Sequence, residues 1–161
     1  WIRDRRQISL LPPTTRRGPV AGSVGRLFSK ERRHHGMPAR NSNLTGWDDS
    51  TQGVYHALDT LFTTTPPTAL NLGEAPLLIA TQQFLLSRGL RVPQDVSLIS
   101  TDNDPHFSWC TPSIAHIHWD NRPVVRRVVK WAANISRGKK DISQKLTPAE
   151  FIAGGTIGPA R

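Results

Sequence analysis

The stretch from Arg88 to Asp104, RGLRVPQDVSLISTDND, constrains the fold more than any other part of the chain. Gly89 stops a helix, Pro93 makes a turn, and Val96 to Ile99 is a short apolar run suited to a buried strand. A polar loop leaves the carboxyl end of that strand. In open α/β sheets ligands bind at that end, so Asp102 and Asp104 stand where a binding site is expected.

The rest of the chain repeats the strand and helix alternation. Gln7 to Leu11 reads as a strand closed by Pro12-Pro13, which cannot continue a ladder. After the loop TTRRGPVAGSVG, residues Val24, Leu27 and Phe28 open an amphipathic helix running to about His35. Gly36 and Pro38 end it, and Arg26, Lys30, Arg32 and Arg33 form its polar side. Asn43 to Trp47 is a weak strand. Asp48, Asp49 or Ser50 caps a helix from about Thr51 to Phe62 with Val54, Leu58 and Leu61 on one stripe. Ala69 to Leu72 is a strand, and Glu74 with Pro76 starts a helix through Ser87 that is apolar on more than one face. Such a helix needs two neighbours, the sheet and, as the second, a partner subunit.

Beyond the acidic loop, Ile114, His116, Ile117 and His118 form an alternating run. Asp120 or Asn121 caps a long helix with Pro123 in its first turn, and Val124, Val125, Val128, Val129, Ala132 and Ile135 make its apolar side. Leu146, Phe151 and Ile152 precede a Gly154-Gly155 break. This alternation predicts an α/β fold with a mainly parallel sheet flanked by helices.

The charge is uneven. Residues 1 to 40 hold ten Lys and Arg against Asp4 and Glu31, which is +8 of the formal net charge of +9. That excess suits either contact with nucleic acid or a solvated helix face. Cys110 is the single cysteine, so a disulfide or thiol metal site within the chain is excluded. A reducing, cytoplasmic setting is consistent with that. No apolar run approaches the roughly 20 residues of a membrane span. His34-His35 and His116-x-His118 raise a metal site, but no third ligand follows at a convincing spacing except Asp120. Cys110 near His106 lacks the third group of a nucleophile motif, and the glycines form neither a G-x-G-x-x-G nor a P-loop pattern. The expectation is therefore no enzyme, no metal and no cofactor.

Residues 88 to 104, the helix before them and Thr111-Pro112-Ser113-Ile114 after them resemble the effector-binding domain of LacI-type transcription regulators. The pattern is R-G-L-x-V-P-x-D-[VI]-S-[VL]-[VI]-G-[FY]-D, with a Pro-rich segment following. The likeness runs from Gln7 to Arg161 through Gln7-Ile8-Ser9-Leu10-Leu11, residues 26 to 36, Thr68-Ala69-Leu70, Glu74 to Gly89 and the ending EFIAGGTIGPAR. It implies a periplasmic-binding-protein-like type I second lobe, with residues 1–113 and 146–161 in that lobe. Residues 114–145 would be the crossover and a helix of the first lobe.

The chain opens on WIRDRR without a methionine, and the expectation is a cut through something longer. Most of the first lobe and a helix-turn-helix, the route to DNA, would then lie outside these 161 residues. On that reading the valine side of the last helix lacks its usual cover, at a cost of about 1.5 to 3 kcal/mol for each side chain left in water.

The resemblance further implies a small effector, a sugar or a purine-like nucleobase, in a cleft between lobes. Asp102 falls on the family's effector-contacting acid, although Ser100-Thr101 stands in place of the G-[FY] pair; alternatively Asp102 caps a turn beside Asn103 and Asp104. Gly73 and Glu74 occupy the positions of an Asn-Asp pair. Val24 stands where an Arg is expected, with Arg26 two residues on. Trp119 replaces a common Gln, where its ring either stacks on a sugar or serves as a plain core or hinge residue. The family dimerises through this lobe, which implies a homodimer with Leu78, Gln82, Leu85, Phe107, Trp109 and Cys110 near the interface. Two other readings remain, a nucleic-acid-binding module in residues 1 to 40 and a periplasmic-type sugar-binding protein.

Overall fold

The computed structural model describes residues 7–11, 21–38, 45–48 and 50–159, with backbone alone for 21–24. Trp1 to Arg6, which by sequence could be the last turn of a helix, the Pro12-Pro13 break, most of the loop after it, Asn43 and Asp49 lie outside them. Among the described residues, five strands form one sheet in chain order: β1 Ile8–Leu11, β2 Ala69–Leu72, β3 Ser97–Ser100, β4 Ala115–Trp119 and β5 Ala149–Ile152. The pairs β1–β2, β2–β3 and β3–β4 are parallel, and β5 lies antiparallel to β4. Helices α1 Ala21–His34, α2 Thr51–Thr64, α3 Ala75–Ser87 and α4 Arg122–Ser136 connect them. The predicted mainly parallel α/β sheet is thus present; β1 to β4 fall within a residue or so of their expected positions, and β5 takes up the apolar Phe151 and Ile152 of the tail.

Local sequence explains most of these boundaries. Ser50 accepts the Gly53 amide at 3.0 Å and caps α2. A side chain at Gly53 would displace the Asp48 carboxylate, which packs against this turn. Gly89, at φ +69°, turns the chain out of α3 while the Leu90 amide returns to the Leu85 carbonyl at 2.9 Å. The weak strand at Trp47 amounts to a single bridge, although the neighbouring Thr45 amide donates to Leu10 O at 3.2 Å.

The core fills one face of the sheet. Leu11, Leu70, Leu72 and Leu98 from β1–β3 meet Val54, Leu58 and Leu61 of α2 and Leu77, Leu78, Phe84 and Leu85 of α3. Each such side chain contributes about 1.5 to 3 kcal/mol by leaving water. Phe62 and Tyr55 of α2 reach Phe84 with ring centroids at 5.5 and 6.3 Å. The second neighbour of α3 is therefore α2 of the same chain, where a partner subunit was expected. Leu78, Leu85 and, under the 3₁₀ turn Pro105–Trp109, Phe107 are buried in this core and cannot present side chains to a dimer interface. Gln82 is half-buried, and Trp109 and Cys110 are exposed. The apolar residues α3 leaves in solvent are Ile79 and Leu86, one heptad apart on one stripe.

One correction concerns α1, whereas the bare side of α4 is as expected. Arg32, expected on the polar side of α1, is 4% exposed, because it follows Phe28 by one turn and falls on the stripe facing the sheet. Helix α4 has no buried residue, and Val125, Val128, Val129 and Ile135 lie open. The tail then returns to the sheet. Thr156 is fully buried between β3 and β4, where its Oγ1 accepts the Ala115 amide at 2.9 Å and donates to Leu98 O at 2.8 Å.

Candidate functional site

The carboxyl ends of β2 and β3 meet the start of α3. Asp102, half-buried in the loop after β3, accepts the Ala75 amide on Oδ2 at 3.0 Å and the Asn103 amide on Oδ1 at 2.8 Å. Its own amide donates to Ser100 Oγ at 3.0 Å. The carboxylate thus completes the amino end of α3, where orphaned amides and the helix dipole favour negative charge. Glu74 occupies the N-cap position of α3 without a side-chain capping bond, so Asp102 supplies from a distant loop what the cap residue does not.

Asn103 is the residue that sequence reasoning missed. Its Nδ2 donates to Trp119 O at 2.7 Å, and its Oδ1 lies 2.8 Å from His118 Nδ1, which fixes the hydrogen of that imidazole on Nδ1. One amide side chain thereby ties the acidic loop to the end of β4. The signal available was an Asn between two acids near an alternating His pair, which does not specify a partner 15 residues away. His116 Nδ1 instead faces Ile114 O at 2.8 Å, and Asp120 pairs with Arg122; among the described residues no three His, Cys, Asp or Glu side chains are drawn together as metal donors. Asp104 is spent on its own turn. It accepts the His106 amide and faces the His106 ring, both at 2.8 Å, which holds its carboxyl below the usual range.

Gly73, Glu74, Asp102 and Trp119 therefore gather at one end of the sheet, Trp119 through its main chain. Arg26 does not join them: it is exposed on α1 and, among the described residues, makes no hydrogen bond or ion pair with the group. Beside the cluster, between the starts of α2 and α3, lies an open groove of about 360 Å³ lined by Trp47, Ser50, Tyr55, Glu74, Pro76 and Leu77. Aromatic side chains next to the Glu74 carboxylate and the Ser50 hydroxyl suit a polar ring compound, which is held by stacking and by hydrogen bonds to its hydroxyls.

Comparison with known proteins agrees with this architecture. The family model described as periplasmic binding protein-like domain matches residues 3–157. No curated protein matches the chain. Among solved structures, a LacI family transcriptional regulator from Bifidobacterium animalis subsp. lactis superposes with a TM-score of 0.83 at 20% identity, over 99% of this chain and 58% of that one. A regulator of the same family from Enterococcus faecium, with bound ribose, gives 0.80 at 20% identity over 99% and 59%. Another from Burkholderia phymatum gives 0.72 at 26% identity over 98% and 56%. The chain spans a little over half the length of these structures. Among the described residues no helix is long and apolar enough to cross a membrane. Sheet order, helix placement and the match across nearly the whole sequence lead to one conclusion: the chain belongs to the periplasmic binding protein-like domain family.

Proposed function

We propose that the chain is the ligand-sensing portion of a LacI-type transcription regulator, and that a sugar or nucleobase-like effector binds where β2, β3 and β4 end. The observation that carries this reading is the loop Asp102-Asn103, which joins the start of α3 to the end of β4 beside a groove lined by Trp47, Tyr55 and Glu74. Residues 1–113 and 146–161 form the second lobe on this reading, and 114–145 cross to the first. The bare apolar side of α4 then marks the seat of the remainder of that first lobe. The similar structures with bound ribose and with cellobiose support a sugar-like ligand.

An effector that closes the two lobes shifts the equilibrium between arrangements, and a homodimer passes that shift to DNA-reading heads. Gln82, Trp109 and Cys110, with Ile79 and Leu86 in place of the buried leucines, supply the surface for such a dimer. A nucleic-acid module in the first 40 residues is weakened by Arg32, which is turned inward. Calorimetry with a panel of sugars and purines on the wild type and on Asp102→Ala tests the proposal. Binding lost in the variant supports it, and binding by neither protein overturns it.

A further inference from the structure

The sheet face turned away from the core carries Ile8 and Ala69, partners in one register row, and Asn71 and Ile99, partners in another. Between this face and α1 is a cavity of about 240 Å³, its walls completed by Phe28 and Arg32. None of its lining residues belongs to the cluster around Asp102. Among the described lining residues, Glu31 and His35 stand at the opening, and inside it the walls are apolar apart from Arg32 and Asn71. Arg32 donates from Nη1 to Ile8 O at 2.8 Å and from Nη2 to Pro38 O at 2.9 Å, but its buried Nε–H meets no acceptor among the described residues. The buried Oδ1 of Asn71 likewise meets no donor.

A guanidinium removed from water normally faces a carboxylate, because neutral carbonyls do not offset the loss of hydration. Among the described residues no carboxylate lies within ion-pair distance of Arg32. Glu31 stands exposed at the rim, with His35 beside the opening. The arrangement has a cation with a spare donor, an amide oxygen with a spare acceptor site, and an apolar chamber between them. Burial also lowers the Arg32 pKa, consistent with a charge that lacks its partner.

We propose that this cavity is a second ligand site, which takes a small monocarboxylate with an apolar body and a hydroxyl donor. The carboxylate accepts from Arg32 Nε, the hydroxyl donates to Asn71 Oδ1, and the hydrocarbon fills the space against Phe28, Ala69 and Ile99. Charge and shape together set the class: a neutral molecule leaves the cation unpaired, and a polyol wastes the apolar walls.

Heteronuclear NMR titration of the 161-residue chain with 2-hydroxy-4-methylpentanoate, its methyl ester and 4-methylpentanoate tests this. The hydroxy acid is expected to shift the amides of residues 8, 69–71, 99 and 28–35. Affinity should drop about tenfold for the ester, the weight of a charge-assisted hydrogen bond, and less for the acid without the hydroxyl. Asn71→Leu, which leaves Arg32 in place, should erase the preference for the hydroxy acid. Equal affinity for acid and ester, shifts confined to residues 73–75 and 102–104, or no shifts at all would each overturn the proposal. Those results come from the wild type and do not depend on any variant folding.

Discussion

The Asp102 carboxylate and the Ala75 amide stand 27 residues apart in sequence and meet at 3.0 Å, so the loop after β3 holds the first turn of α3. Removing that acceptor leaves a helix-end amide unsatisfied. Asp102→Ala is expected to cost about 1 to 2 kcal/mol in urea unfolding, the range for a lost cap. Asp102→Asn, which keeps an acceptor oxygen, should recover much of it. Equal stability of wild type and Asp102→Ala would show that the bond is idle.

Gly154 and Gly73 differ in what surrounds them. A side chain at Gly154 would collide with the backbone of Ser113–Ala115, where the tail passes β4, whereas nothing lies within 4 Å of one at Gly73. Gly154→Ala should lose about 1 to 3 kcal/mol as the tail is forced off the sheet. Gly73→Ala should stay within about 0.5 kcal/mol of wild type. Chemical denaturation of the two variants side by side decides the matter.

Asp141 accepts from Asn134 Nδ2 at 2.8 Å and pairs with Arg127 through two bonds of 2.6 and 3.0 Å, pinning the segment after α4 to that helix. These partners, Asn134 first and Arg127 next, pull its pKa from the usual 3.8 to about 2. The folded form binds a proton less readily than the unfolded one. The stabilisation is therefore complete above pH 3.8 and disappears as pH falls towards 2. Protection of the amides at residues 139–146, relative to their intrinsic exchange rates at each pH, should fall across that window in the wild type. In Asp141→Asn it should be low throughout.

Helix α4 offers its apolar residues to water, with Val125 58% and Val129 63% exposed. Val125→Lys with Val129→Lys should reduce dye binding and self-association of the 161-residue chain and leave its stability within about 0.5 kcal/mol. A marked loss of stability would mean that the helix packs on something within this chain.

Short-range rules account for what was legible in the sequence. Gly89, the Ser50 cap and the runs at 7–11, 69–72 and 96–99 act through near neighbours, so their elements appear within a residue of where they are expected. Burial decided by partners elsewhere in the fold was not legible. Periodicity placed Arg32 on a polar side because it sits among basic residues, yet the carbonyl it seeks is Ile8 O, 24 residues away. Apolar residues on two faces of α3 do not say whether α2 or a second subunit covers them. The bonds from Asn103 to β4 and from Thr156 to Leu98 span 15 to 58 residues and leave no local pattern.

The most direct test of the effector site is a heteronuclear titration of the chain with ribose, cellobiose and adenine, read at backbone amides and Trp indoles. At least one compound is predicted to move the signals of residues 73–75, 102–104 and 118–119 together with the Trp47 indole. If every compound leaves these resonances in place while the protein is folded, the mouth of the sheet is not a ligand site.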